Sequence, residues 1–300
     1  MIKSVMHDSH IHLSMEPLKS NIEVIIDNFT SKGGKYILTQ STDLYDFEET
    51  LSMAKRYPTI VNAALGLHPT FFEESTVWKN IYKNIYDKSI QNIEKYIEIV
   101  EKNIKEVTAI GETGLDYYQI NRDRQLDREI IEEIQEIQRV SFKKHISLAK
   151  KHNLGISIHA RDVNEKQECI KDVLEIVAQE GRGTVKGCFH SYTGDISHIN
   201  DILDLGFCVG FNAIITYKSG EDVRQILRKT PLDRILFETD GPFLPPQSVR
   251  KNKKMKEKYA QPMDVREIME VAAEVKNIDI KKLEEITDEN YERTFLENLI

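Results

Sequence analysis

Residues 5–13 read Val5-Met6-His7-Asp8-Ser9-His10-Ile11-His12-Leu13. Asp8, His10 and His12 stand two residues apart. That is the period of a strand, so the three side chains are expected on one face. Two histidines spaced in this way reach a metal ion from one side. A chance pair on a half-buried strand has the same spacing. What separates the two readings is the rest of the chain, where further residues of ligand type each end an apolar segment.

Eight short apolar, β-branched segments follow one another along the chain: Ser4–His10, Tyr36–Gln40, Ile60–Leu67, Val107–Glu112, Gly155–His159, Thr184–His190, Phe207–Phe211 and Arg234–Glu238. Amphipathic stretches of helical period lie between them, such as Ile81, Ile85, Ile93, Ile97, Val100 and Ile104. Strands alternating with helices predict a parallel sheet. Eight such units without a Pro- or Gly-rich linker predict a (β/α)8 TIM barrel as a single domain over 1–300. An open doubly wound sheet competes, but no Gly-rich phosphate fingerprint follows the first strand. The segments Trp78–Lys105 and Arg124–His152 are long for such a barrel and are expected as extended outer helices. The tail from Asp264 predicts two or three terminal helices, with Ile280, Leu283 and Ile286 on one apolar face and Tyr291, Phe295 and Leu299 on another.

The net charge of −8, from 41 Lys+Arg against 49 Asp+Glu, argues against a histone-like coat of nucleic acid and leaves room for a local basic patch. Three cysteines, Cys169, Cys188 and Cys208, are odd in number and far apart, which predicts reduced thiols. No apolar run approaches the roughly 18 residues of a membrane span. The N-terminal residues lack a signal-peptide pattern. A cytoplasmic protein without membrane contact is expected.

In a barrel of this kind the active site lies at the C-terminal ends of the strands. His10 and His12 end the first predicted strand, Glu112 the fourth, His159 the fifth, His190 the sixth and Asp240 the eighth. One metal needs three or four protein ligands. Four histidines and two carboxylates, one of them placed to bridge, suit two metals about 3.5–4 Å apart.

The ordered motifs resemble those of the TatD-type metal-dependent deoxyribonucleases, within the wider amidohydrolase-like barrels. They are Asp8-x-His10-x-His12, Gly66-Leu67-His68-Pro69 and Gly111–Asp116, then Gln138 with Phe142, Ile158-His159-x-Arg161 and Phe189–Gly194, and last Glu238-Thr239-Asp240-x-Pro242 and Asn290. The resemblance covers nearly the whole chain. It implies that His10, His12 and Asp240 hold one divalent metal, that His159 and His190 hold the second, and that Glu112 bridges them. A lysine there would have marked the amidohydrolases with a modified-lysine bridge. It further implies hydrolysis of DNA phosphodiesters, with a 3′ to 5′ exonuclease as the expected form. The substrate is expected to be single-stranded DNA or chain ends, and the protein a monomer. Zn, Mn or Co suits the mixed His and carboxylate set, while Mg prefers more oxygens. The pattern departs from the family after Pro245-Pro246. Arg250, Asn252, Gln261 and Pro262 are spread over a longer basic insertion, which bears on groove shape rather than on the metal chemistry.

The remaining roles are expectations of the same reading. Asp240 and Glu112 are the catalytic carboxylates, with Asp240 accepting the proton of the attacking water. His68 and Arg161 bind phosphate oxygens, with a packed strand-end residue as the plain alternative for His68. Tyr117 and Tyr118 stack a splayed base or simply pack. Glu238 orients a ligand histidine from behind or is simply hydrogen-bonded inside the barrel, and Asp8 has the same two options, with the orienting role expected. His7 and His198 are read as structural, and His145 and His152, on a Lys-rich helix, as solvated. The basic run Arg250–Lys258 reads equally as a phosphate contact or a solvated loop. A metal-dependent ester or amide hydrolase, such as an aminoacyl-tRNA deacylase, is the alternative function. A non-catalytic scaffold is a third reading, and the complete ligand set opposes it.

Overall fold

The computed structural model describes residues 5–74, 85–122, 127–163, 166–181 and 183–297. Eight strands appear in chain order: β1 Met6–Ile11, β2 Gly34–Gln40, β3 Val61–Leu65, β4 Ala109–Asp116, β5 Gly155–Arg161, β6 Gly187–Phe189, β7 Cys208–Phe211 and β8 Ile235–Phe237. Each pairs in parallel with the next in one sheet of order β1 to β8. A parallel bridge between Ile11 and Gly241 brings the first strand to the last. Backbone bonds from Asp240 to His10 (2.9 Å) and from His12 to Gly241 (2.8 Å) strengthen the same seam. The architecture is therefore the expected TIM barrel, and every expected strand is present.

Strand four differs in length. Glu112 was expected to end it, but β4 runs on to Asp116 after a register shift between Ile110 and Thr113. Two glycines make the irregularity possible. Gly111 (φ +148) and Gly114 (φ +147) hold backbone conformations that L side chains avoid, and a Cβ on Gly114 would lie 2.0 Å from the His159 carbonyl. Glu112 thus sits inside the barrel wall, with Asp116 at its rim.

The outer helices bury one face each. In the helix Arg128–His152, the buried residues Ile134, Ile137, Ser141, Phe142, Ile146 and Ala149 recur at three- and four-residue intervals. It ends on Asn153 in the left-handed conformation, with Lys150, Lys151 and His152 complementing the negative end of the helix dipole. The helix Ile85–Lys102 packs against it. The starts of the two expected extensions, at 78–84 and 124–126, lie outside the described residues.

The end of the barrel opposite the mouth is closed by the chain's own tail. Leu38, Ala64, Ala109, Cys188, Cys208 and Leu236 meet Tyr291 and Phe295 in one buried cluster. Each large buried side chain of this kind contributes roughly 1.5–3 kcal/mol. Leu299, expected on the same face, lies outside the described residues. Asn290, on the helix Ile280–Tyr291, donates to the carbonyls of Leu232 and Ile235 at 2.8 and 2.9 Å, pinning that helix to the start of β8. The three cysteines are free and buried. Among the described residues no helix is long and apolar enough to cross a membrane.

Candidate metal centre at the barrel mouth

Glu112 is the hub, and its two oxygens face different neighbours. On one side, Oε2 lies 3.2 Å from Nε2 of His10 and 3.5 Å from Nε2 of His12. Oδ1 of Asp240 lies 3.8 and 3.6 Å from those same nitrogens. On the other side, Oε1 lies 2.7 Å from Nε2 of His190, 2.8 Å from Nδ1 of His159 and 3.2 Å from Nε2 of His68. His159 Nδ1 is also 3.2 Å from His190 Nε2 and 3.3 Å from His68 Nε2. Three ring nitrogens this close to one oxygen and to one another cannot all be ordinary hydrogen-bond pairs, because an oxygen has two lone pairs to offer. They aim at common points, which is the arrangement a cation requires. His10, His12 and Glu112 form one group able to hold a metal ion, and His68, Glu112 and His159 form another. His10, His190 and Glu238 form a third, overlapping group. All six expected metal ligands are thus brought together, and His68 is drawn in beside them rather than standing out on the rim.

Packing from behind fixes the rings. Ser157 Oγ lies 3.0 Å from His10 Nδ1. Asp116 Oδ2 lies 3.0 Å from His159 Nε2. Glu238 Oε1 lies 3.7 Å from His190 Nδ1 and accepts the Ser191 amide. Gly210 on β7 leaves room for Glu238, since a Cβ there would lie 2.5 Å from its Oε2. Asp8 acts differently. It accepts from the Thr239 amide (3.0 Å), the Thr239 hydroxyl (2.6 Å) and the His10 amide (3.3 Å), so it sets the backbone before Asp240 rather than a ring. Asp240 itself holds φ +58, a conformation uncommon for a residue with a side chain, which aims its carboxylate at the cluster.

Asp116 and Ser157 carry no role in the sequence reading, although a signal was present. For Ser157 it is the even spacing on a strand, two before His159; for Asp116 it is its place at the end of the Gly111–Asp116 motif. Tyr117 is a correction. It begins a short helix, Tyr117–Arg122, and its ring is buried. Its hydroxyl donates to Asp172 (2.5 Å) and accepts from Arg139 (2.9 Å), so it faces the outer layer and not the substrate space. Tyr118 takes the outward position, with the Arg161 guanidinium 4.1 Å from its ring centre. His145 is a second correction, fully buried rather than solvated. Its Nε2 accepts from the Leu67 amide at 3.2 Å and its Nδ1 donates to the Ser141 carbonyl at 2.8 Å. His152 pairs with Glu101 at 2.9 Å, and His198 meets Gln167 at 3.0 Å.

The charges are interlocked. Burial works to raise Glu112, yet the rings of His190, His68 and His10 outweigh it and hold the carboxyl well below its usual range. Asp240 is likewise lowered against burial, by its bond to His12 and by the nearby His190 and His10. Burial works to lower His159, but Asp116 and Glu112 carry it up to about 9. His190 is raised well above its ordinary value because Glu112 and Glu238 overcome burial. His10 and His68 go down, chiefly through burial. Buried carboxylates in this number attract positive charge, and protons and cations compete for the same ring nitrogens. The cluster opens into a cavity of about 630 Å3, whose wall includes His12, His68, Arg161, Asp240, Phe243 and Leu244.

A parallel eight-stranded barrel with a histidine and carboxylate cluster at its C-terminal mouth defines a metal-dependent barrel hydrolase. A family model described as TatD related DNase matches residues 7–296, and the chain belongs to that family. It is 33% identical over 292 residues to an uncharacterised metal-dependent hydrolase of Buchnera aphidicola, covering 96% of this chain and 98% of that protein. It is 28% identical over 295 residues to the uncharacterised metal-dependent hydrolase YabD of Bacillus subtilis, covering 97% and 99%. Among solved structures it is similar in fold to YjjV, a TatD homologue of Escherichia coli K12, at a TM-score of 0.77 with 21% identity, covering 98% and 99% of the two chains.

Proposed function

We propose that the chain is a deoxyribonuclease that hydrolyses phosphodiester bonds with two divalent ions held either side of Glu112. The observation that carries the reading is the division at that carboxylate, with His10 and His12 facing one oxygen and His159 and His190 the other. The description of the matching family, TatD related DNase, supports the same reaction. Divalent ions held by these residues would neutralise an anionic phosphodiester and would bring the pKa of a bound water toward neutrality. The protein's residues do the rest. Asp240, held ionised and lining the cavity, accepts the proton of the attacking water. Glu112 ties the two ligand groups at a fixed spacing. Arg161 offers its forked donors to phosphate oxygens at the mouth, and His68 reaches a phosphate oxygen held beside His159. Asp116, Ser157 and Glu238 keep the rings aimed. The substrate is single-stranded DNA or a chain end, trimmed from the 3′ side by a cytoplasmic monomer.

The test is cleavage of 3′- and 5′-labelled single-stranded and duplex DNA with chelator, then with Mg, Mn, Zn or Co restored. Chelator-sensitive shortening from the 3′ end is expected, lost by about 1,000-fold or more in His10→Ala and Glu112→Ala. A Glu112→Ala protein that cuts at the wild-type rate contradicts the proposal. Absence of cleavage by the wild type with every metal moves the assignment to carboxylic esters or amides, such as aminoacyl esters on transfer RNA.

A further inference from the structure

We infer that the segment Arg250–Lys258 is a track for the phosphate backbone of single-stranded nucleic acid, leading away from the metal centre. The inference rests on the phosphodiesterase reading above. Six of the nine residues are Arg or Lys against one carboxylate, Glu257, in a chain whose net charge is −8. All six cations are exposed. Lys251, Lys253, Lys254 and Lys256 make no ion pair with any described residue. Like charges crowded together repel and cost stability. A polyanion relieves that cost and releases its condensed counterions on binding.

The chain that leads into the segment forms part of the cavity wall. Phe243 and Leu244 line the cavity, and the chain then passes Pro245 and Pro246 into the short helix Gln247–Lys251. The Gln247 amide donates to Thr216 Oγ1 at 3.0 Å, and the Tyr217 hydroxyl donates to the Pro245 carbonyl at 2.8 Å. The Arg250 guanidinium lies 4.4 Å from the Tyr217 ring centre. Thr216 and Tyr217 follow directly from Ile214, itself a lining residue. Lys258 Nζ donates back to the Arg250 carbonyl at 2.6 Å, which folds the run into a patch instead of a trailing chain. Phe243 stands between the two regions, half exposed and edge-on to His12 at 6.0 Å. A strand whose reacting phosphate lies at Glu112 passes this ring, where a base stacks, and then meets the cations. None of the six cations lines the cavity. They hold the length of the strand and not the reacting phosphate.

The test uses the purified full-length protein and phosphorothioate-linked oligo(dT) of about four and about 20 nucleotides, with binding measured against salt. The longer strand is expected to bind more tightly. In the variant Lys251→Gln/Lys253→Gln/Lys254→Gln/Lys256→Gln its affinity falls by about 10- to 100-fold near 0.1 M salt, and the slope of log affinity against log salt becomes shallower by about 3. Unchanged affinity and slope in a variant with wild-type melting overturn the inference, as does equally tight binding of polyglutamate of matching charge. Cleavage of the phosphodiester version is followed in parallel. Lysine-dependent binding without cleavage overturns the nuclease reading alone, and cleavage with lysine-independent binding overturns the track alone.

Discussion

At the closed end of the barrel, His7 lies 5.1 Å from the Tyr291 ring and its Nε2 accepts from the Phe237 amide at 3.4 Å. Burial, and then Lys35, bring it down to about 3, so it is a neutral packing element. A few residues along the same stretch, His10 and His12 face a carboxylate, each other and further rings. His145 in the outer layer behaves like His7, with one backbone donor and one backbone acceptor and a value lowered by burial to about 4. His159 is flanked instead by groups of opposite sign, Asp116 and Glu112, and rises to about 9 against burial. The buried histidines of this chain fall into two kinds. Those placed by packing have distinct backbone partners and stay neutral. Those placed for chemistry crowd around shared carboxylates, an arrangement that packing alone does not favour.

Asp116 offers the strongest way to break this division. Asp116→Asn keeps the shape and removes the charge behind His159. If Asp116 serves the mouth, metal affinity and turnover fall by about 10- to 100-fold while the denaturation midpoint hardly moves. A large loss of stability with unchanged metal affinity, measured by metal titration and urea unfolding, would place Asp116 with the packing residues instead.

His145 sharpens the other side. Its folded value of about 4 lies below the roughly 6.5 of an unfolded histidine. The unfolded chain therefore takes up the proton first on acidification. The stability this residue lends is complete above about pH 6.5 and is lost as pH falls toward 4. The difference in unfolding free energy between wild type and His145→Gln should shrink by about 1–2 kcal/mol from pH 7 to pH 5. A difference that stays constant over that range would mean that His145 is not held neutral by burial.

The fold was legible because each strand announces itself by a short apolar run, and each ligand by its place at the end of one. What was not legible traces to specific side-chain phases. The glycines at Gly111 and Gly114 break the alternation of β4, so neither the continuation to Asp116 nor the choice between Tyr117 and Tyr118 follows from counting by two. His145 was hidden by Lys143, Lys144, Lys150 and Lys151 around it. Yet it falls three residues after Phe142 and four after Ser141, on the buried stripe of its helix, so helical spacing was the better guide than local charge. The grouping of His68 with His159 depends on how the segment after β3 and the end of β5 meet from either side of β4, which no local pattern encodes.

Whether Glu112 joins two ions decides between a two-metal and a one-metal centre. Metal analysis combined with anomalous diffraction on the metal-loaded protein tests it most directly. Two ions per chain are expected, one on each side of Glu112, with both lost or strongly weakened in Glu112→Ala. A single ion held by His10, His12 and Asp240, with Glu112 touching only protein groups, would contradict it.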